Sequence, residues 1–366
     1  MSLSVAFRVD ASSQIGTGHV MRCLTLAAHL RRGGANATFV MRQHEGHLGA
    51  MIKANGYEVI QLPKAPTQTR VSYTQAYEAW LGTTFDVDAD DFINATKDKC
   101  YDWIIVDHYA LDYRWESKVR SKAGHLMVID DLANRKHDCD LLLDQTYGRV
   151  AHDYESLVGE SSKILTGSEY ALLRPEFSGL RQKSLERRKD GNISRILISM
   201  GGIDFHNSTV AILDALAKEP LSDEVEILVI MGRNAPWIDS VNARASTMPF
   251  CTKVEVDVAD MAEKLYRCDL AIGGGGATAW ERCCLGVPTI LVILAENQQF
   301  VARSLYGARA ALVVNDVECI PHKLPQYLSI LSDKWAIQKM QIAASSIVDG
   351  VGAERVIKEM YKIHGS

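Results

Sequence analysis

The strongest constraint on this chain is a rhythm of short apolar runs separated by helical patterns, begun near the N-terminus and begun again at mid-chain. Residues 5–9 (VAFRV) are β-rich and run into a polar, glycine-containing loop. From Val20 the sequence turns helical, with Met21, Leu24, Ala27, Ala28 and Leu30 on one apolar face, and Gly33-Gly34 ends that helix. Further strands are predicted at residues 37–41, 58–62, 103–106, 126–129 and 141–143. The pattern restarts with a strand at 195–200 and a helix from about Asn207, then strands at 226–230, 270–272 and 289–292. Strands alternating with helices specify a parallel sheet with helices on both faces. Two such series specify an α/β chain of two domains.

At 366 residues the chain suits two domains of middling size. Their expected limits are 1–178 and 192–348, with 349–366 a C-terminal helix expected to pack back on the first domain. Residues 181–191 (RQKSLERRKDG) are charged, end in glycine and read as the linker. Residues 63–84 show little periodicity and read as a lengthened loop or broken helix. Asp86, Asp88, Asp90 and Asp91 resemble the start of a calcium loop, but such a loop wants Gly at its sixth position and Glu at its twelfth, where Asp91 and Lys97 stand. Acidic residues opening a helix explain them better.

With 40 basic and 45 acidic residues, the net charge of −5 argues against a general grip on nucleic acid. No segment approaches the roughly 20 apolar residues that a membrane-spanning helix needs, and the first residues lack a signal-peptide pattern. The eight cysteines form no C-x-x-C pair and read as reduced thiols of a cytoplasmic protein. A monomer that binds neither nucleic acid nor membrane is expected, with no metal and no cofactor.

Parallel α/β sheets bind ligands at the carboxyl ends of their strands, so the loops there are the first places to look. Residues 10–19 (DASSQIGTGH) place Gly16 and Gly18 where the backbone can approach a ligand, and His19 at the opening of the first helix. The positive helix end disfavours imidazolium, so a neutral ring able to take a proton from water is expected. The same loop fails as a dinucleotide fingerprint: Met21 stands where the third glycine belongs, and the second strand ends in Met41-Arg42 with no acid. No Gly-Lys pair followed by Ser or Thr occurs, which excludes a Walker loop.

Asp107-His108-Tyr109 follows an apolar strand and reads as a substrate rim. Gly273 to Gly276 then lead through Ala277 and Thr278 into a helix bearing Glu281. Bare backbone there leaves N–H groups free to meet phosphate oxygens, and Glu281 can accept hydrogen bonds from a ribose diol. Gly201-Gly202 forms a second close-approach loop. Residues 295–299 (AENQQ) can orient hydroxyls or carbonyls, or simply start a helix.

These motifs resemble the UDP-sugar hydrolases of pseudaminic acid biosynthesis, in residues 7–19 together with 106–109. The likeness continues at Asp130-Asp131, 140–145, 170–177, 200–202 and 296–298. The resemblance implies two Rossmann-like domains facing across a cleft, a glycosyltransferase-B-like architecture, with UDP held by the second. It implies metal-independent, inverting hydrolysis of a UDP-linked 2,4-diacetamido-2,4,6-trideoxy sugar. It implies His19 as catalytic base, with Tyr109 and Asn297 positioning sugar and water. Gly16, Gly18, Arg174, Gly202, Gly274, Gly275, Gly276, Ala277, Thr278, Glu281 and Gln298 are the implied substrate contacts. The chain departs from the pattern at about 63–91 and in its four-glycine loop. A glycosyltransferase using the same donor and a non-catalytic nucleotide-sugar-binding protein are the rival readings.

Overall fold

The computed structural model describes residues 2–64, 77–188 and 191–365. It divides the chain into two units, Met1–Leu172 with Gly352–Ser366, and Leu173–Val351. The first is built on strands β1 (Ser4–Val9), β2 (Asn36–Arg42), β3 (Glu58–Leu62), β4 (Tyr101–Asp107), β5 (Ala123–Ile129), β6 (Leu141–Asp144) and β7 (Lys163–Thr166). They form one parallel sheet in the order β3-β2-β1-β4-β5-β6-β7. The second is built on β8 (Arg195–Ser199), β9 (Glu226–Met231), β10 (Cys251–Val256), β11 (Leu270–Gly274), β12 (Thr289–Val292) and β13 (Leu312–Val314), parallel in the order β10-β9-β8-β11-β12-β13.

Side chains alternate across a strand, so the apolar runs supply two cores in the first unit. Phe7, Val9, Phe39, Ile105 and Met127 pack with the helix Gly18–Arg32 on one face, joined by Val356 and Met360 of the closing helix Gly352–His364. Ala6, Val40, Ile104, Val106 and Leu126 pack on the other face with Phe92 and Trp115. Gly352 permits the closing helix its seat: a Cβ there would lie 2.5 Å from the backbone of Ala171. Ile196, Ile198, Ile227, Val229 and Ile272 anchor the core of the second unit.

Four sequence expectations need correction or supplement. The boundary falls at Leu172 rather than 178, and residues 181–188 of the expected linker 181–191 are no tether, while 189 and 190 lie outside the described residues. Pro175–Arg187 is a helix of the second unit. Its arginines bind backbone carbonyls and a carboxylate: Arg181 reaches Ser345 at 2.6 Å, Arg188 reaches Cys268 at 2.8 Å, and Arg187 pairs with Asp269 at 2.6 Å. Charge that reads as a solvated tether is the docking surface of a helix. The short strands β7, β10 and β13 went unseen because they are short or, like Cys251–Val256, largely polar. Of the unpatterned stretch 63–84, residues 65–76 lie outside the described residues, and Glu78–Leu81 is a single helical turn.

Candidate functional site

Each sheet reverses its strand order once, and ligands of open α/β sheets bind where that reversal occurs. In the first unit the chain goes outward from β1 to β3 and returns to β4 beside β1. The loops after β1 and β4 therefore meet, and these carry His19 and Tyr109. In the second unit β8 and β11 are the corresponding neighbours, bringing the Gly201-Gly202 loop and the Gly275–Thr278 loop together.

Nearly every central strand of the first sheet ends in charge. Arg42 ends β2, Asp10 follows β1, Asp107 ends β4, Asp130 and Asp131 follow β5, and Asp144 ends β6. All but Asp131 are fully or almost fully buried, so each must be paired or hydrogen-bonded.

His19 and Arg22 lie one helical turn apart and converge on Asp107. His19 Nδ1 is 2.6 Å from Asp107 Oδ1; Arg22 lays Nε on Oδ2 at 2.6 Å and Nη2 on Oδ1 at 2.7 Å. The Nη1 of Arg22 reaches both oxygens of Asp131, at 2.6 and 2.9 Å. Tyr109 donates its hydroxyl to Asp131 Oδ2 at 2.8 Å, and its ring meets that of His19 edge-on, with centroids 4.6 Å apart. Burial opposes ionisation of Asp107, yet Arg22 and His19 hold its carboxyl well below the usual range. Burial, then the Asp131 charge, pushes the Tyr109 phenol well above its ordinary value.

An ionised carboxylate only accepts, so Nδ1 of His19 must carry the proton and Nε2 the lone pair of the neutral ring. Nε2 makes no hydrogen bond with the described residues. The sequence reading rested the state of this ring on the helix end, whereas its direct contacts are Asp107 and Arg22. Sequence reasoning missed Arg22, and it gave Asp131 no role although the resemblance includes it. The available signal was the His19, Arg22, Cys23 spacing on one helix face, with Cys23 Sγ also 3.4 Å from Asp107.

A second buried network has a structural role. Arg8 binds both Asp10 and Asp88 at 2.7 Å. Arg42 binds Asp88 at 2.7 Å and Asp91 at 2.9 Å. Trp115 donates its indole N–H to Asp88 at 3.0 Å. The acidic run is thus the start of the helix Phe85–Ala95, and it also supplies the counter-ions of two buried arginines. His108 belongs here: its Nδ1 accepts from Ala110 N–H at 3.1 Å and its Nε2 stands 3.4 Å from Asp10. Gly16 has φ +79° and closes a turn on Ser12 with an N–H···O bond of 2.9 Å. A side chain at Gly18 would meet nothing within 4 Å.

In the second unit the glycine loop divides. A Cβ at Gly273 would lie 2.9 Å from Ser199 O, and one at Gly274 3.0 Å from Leu294. The N–H of Gly275 already donates to Gln298 Oε1 at 3.1 Å, and the same oxygen accepts from Leu294 N–H at 3.1 Å. Gly275 and Gln298 therefore bind each other, the Gly275 N–H being engaged by Gln298 Oε1. Gly276 alone opens to free space. Ala277 then turns into the helix Thr278–Cys284, where Thr278 Oγ1 accepts from Arg282 at 3.2 Å. Gly232 must be bare beside Gly202, because a Cβ at Gly232 would strike Gly202 O.

Glu281 has one carboxylate oxygen, Oε2, enclosed without a partner. Burial pushes its carboxyl up to about 7 against the opposing charges of Arg174 and Arg282. Arg174 donates to Ala259 O at 3.0 Å. Asn297 is half-buried in the turn Glu296–Gln298. No helix among the described residues is long and apolar enough to cross a membrane. None of them form a group of three or more His, Cys, Asp or Glu suited to a metal ion.

Comparison with known proteins fits this geometry. The glycosyltransferase family 28 C-terminal domain matches residues 196–358. MurG of Acinetobacter baumannii superposes with a TM-score of 0.70 at 16% identity, over 98% of this chain and 99% of that one. The chain has the fold of that enzyme, two α/β units each on a parallel sheet. In sequence, the UDP-2,4-diacetamido-2,4,6-trideoxy-beta-L-altropyranose hydrolase of Campylobacter jejuni is 30% identical over 59% of this chain and 66% of its own length. A relative in Methanocaldococcus jannaschii is 24% identical over 81% of this chain and 57% of its own length. The chain thus spans about three-fifths to two-thirds of these two relatives. The spore coat polysaccharide biosynthesis protein SpsG of Bacillus subtilis is 23% identical over 98% of this chain and 99% of its own.

Proposed function

We propose that this chain hydrolyses a UDP-linked 2,4-diacetamido-2,4,6-trideoxy sugar, releasing UDP and free sugar. One observation carries the proposal: His19 is fixed by Asp107 in the tautomer that leaves Nε2 free to accept a proton. The same base would serve an inverting transfer by taking the proton of an acceptor hydroxyl, so the attacking group is what separates the two reactions. Water donates its proton to Nε2 while its oxygen attacks the anomeric carbon. The bond from that carbon to the UDP oxygen breaks with inversion, and UDP leaves with the bonding electron pair. Arg22 holds Asp107 and Asp131 in register, and Asp131 orients Tyr109.

In the second unit, the free amides around Gly276, Ala277 and Thr278 are assigned to the diphosphate, where they would oppose the charge that builds on the leaving group. Glu281 is assigned to the ribose hydroxyls, because its enclosed Oε2 lacks a donor. Asn297 is assigned to the sugar. The relative from Campylobacter supports the reaction and the sugar class through its name.

The family 28 match to the second half favours one rival, transfer of the sugar to an acceptor. Incubation with the UDP-sugar in buffer alone, followed by chromatography, separates the two. Free sugar and UDP in equal amounts support hydrolysis. Intact donor that is consumed only after an acceptor is added defeats it.

A further inference from the structure

Two aromatic residues outside every motif pack on Tyr109, and one of them also meets the candidate base. Trp80, in the helical turn Glu78–Leu81, stacks on Tyr109 with ring centroids 5.7 Å apart and planes 24° apart. Its ring lies 6.5 Å from that of His19 at an interplanar angle of 78°. Tyr77 closes the group, 4.7 Å from Trp80 and 5.1 Å from Tyr109.

The group is built unlike a core. Tyr109 is buried and hydrogen-bonded, but Trp80 is only half-buried. Its indole N–H has no partner among the described residues and, unlike that of Trp103, is not enclosed. Indole placed for packing alone is normally covered, or has its N–H bonded. Here an aromatic surface and a spare donor stand beside the histidine that faces the reacting carbon in the proposed reaction. The residue also belongs to the stretch 63–91, where the chain departs from the motifs it otherwise matches.

We infer that Trp80 is the wall of the sugar subsite and a determinant of which sugar is accepted. Its ring face suits the C–H face of a pyranose and apolar substituents such as a deoxy methyl or an acetamido methyl group. Its N–H suits an acetamide carbonyl. The recognised class is a UDP-linked deoxy, N-acylated hexose. This inference rests on the UDP-sugar reading above.

Calorimetry tests it in the His19→Asn background, which keeps the donor intact. UDP-sugar and UDP are titrated in parallel into the protein with and without Trp80→Ala. The Kd of the UDP-sugar is expected to rise about tenfold while that of UDP stays within about twofold, and Trp80→Phe should restore most of the loss. Unchanged affinity for both ligands would overturn the assignment. So would an equal loss for both, which marks damage away from the sugar. If the wild-type protein released no UDP, the hydrolase reading would fall, while the difference between the two ligands would still judge Trp80.

Discussion

The carboxyl edges of the two sheets solve the same problem by opposite means. In the first unit the edge is dense with charged side chains, several of them matched to a partner brought from far along the chain: Arg22 to Asp107, Arg8 to Asp88, Arg42 to Asp91. In the second it is nearly bare, with Gly201, Gly202 and Gly273 to Gly276 at the ends of β8 and β11. In the proposed reaction the contrast assigns a different kind of chemistry to each unit. A general base must be a side chain locked into one tautomer, which demands a buried, satisfied network around it. A grip on a diphosphate can be made of main-chain amides, which demands the removal of side chains.

This contrast can be broken by substitution, and the base offers the largest expected effect. His19→Asn should lower turnover by about two to four orders of magnitude, read as UDP release, with UDP affinity unchanged. Asp107→Ala should cost about 3–5 kcal/mol of stability by denaturant melt, because it leaves Arg22 buried and short of a partner. Equal stability of that variant would mean the edge network is dispensable. On the bare edge, Gly273→Ala should cost about 1–3 kcal/mol, since its Cβ meets Ser199 O at 2.9 Å.

Glu281 links the second edge to pH. Its folded-state proton is held up to about 7, above the ordinary value of 4.5. Stability from that proton is complete below 4.5 and is lost as pH rises to about 7. Glu281→Gln should flatten that fall in melting temperature. If ribose hydroxyls donate to the carboxylate, UDP should bind wild type more tightly as pH passes 7, and the variant should lose that trend. The smallest effect belongs to Gly276→Ala, whose Cβ meets nothing. Its stability should change by less than about 0.5 kcal/mol, so weaker UDP binding would report on the amides alone.

The sequence made the strand ends legible, and with them the turn-bound residues His19 and Tyr109 and the glycine loop, because apolar runs and glycines are local signals. Arg22 and the role of Asp131 stayed hidden, since a polar residue on a helix or in a loop reads as solvated until its partner is known. Asp107 lies 85 residues from Arg22. Asp86 to Asp91 were legible as helix-opening acids, but the burial of Asp88 under Arg8, 80 residues away, was not. The same limit disguised residues 181–187 of the helix Pro175–Arg187 as part of a linker. In the other direction, four glycines in a row suggested one purpose, and the structure divides them between close packing at Gly273 to Gly275 and open space at Gly276.

The account turns on water as the attacking group at the sugar carbon. Turnover of the UDP-sugar in water enriched in oxygen-18, with both products weighed promptly by mass spectrometry, tests that step most directly. Heavy oxygen in the free sugar and none in UDP is the predicted result. Heavy oxygen in the terminal phosphate of UDP, with an unlabelled sugar, would contradict it.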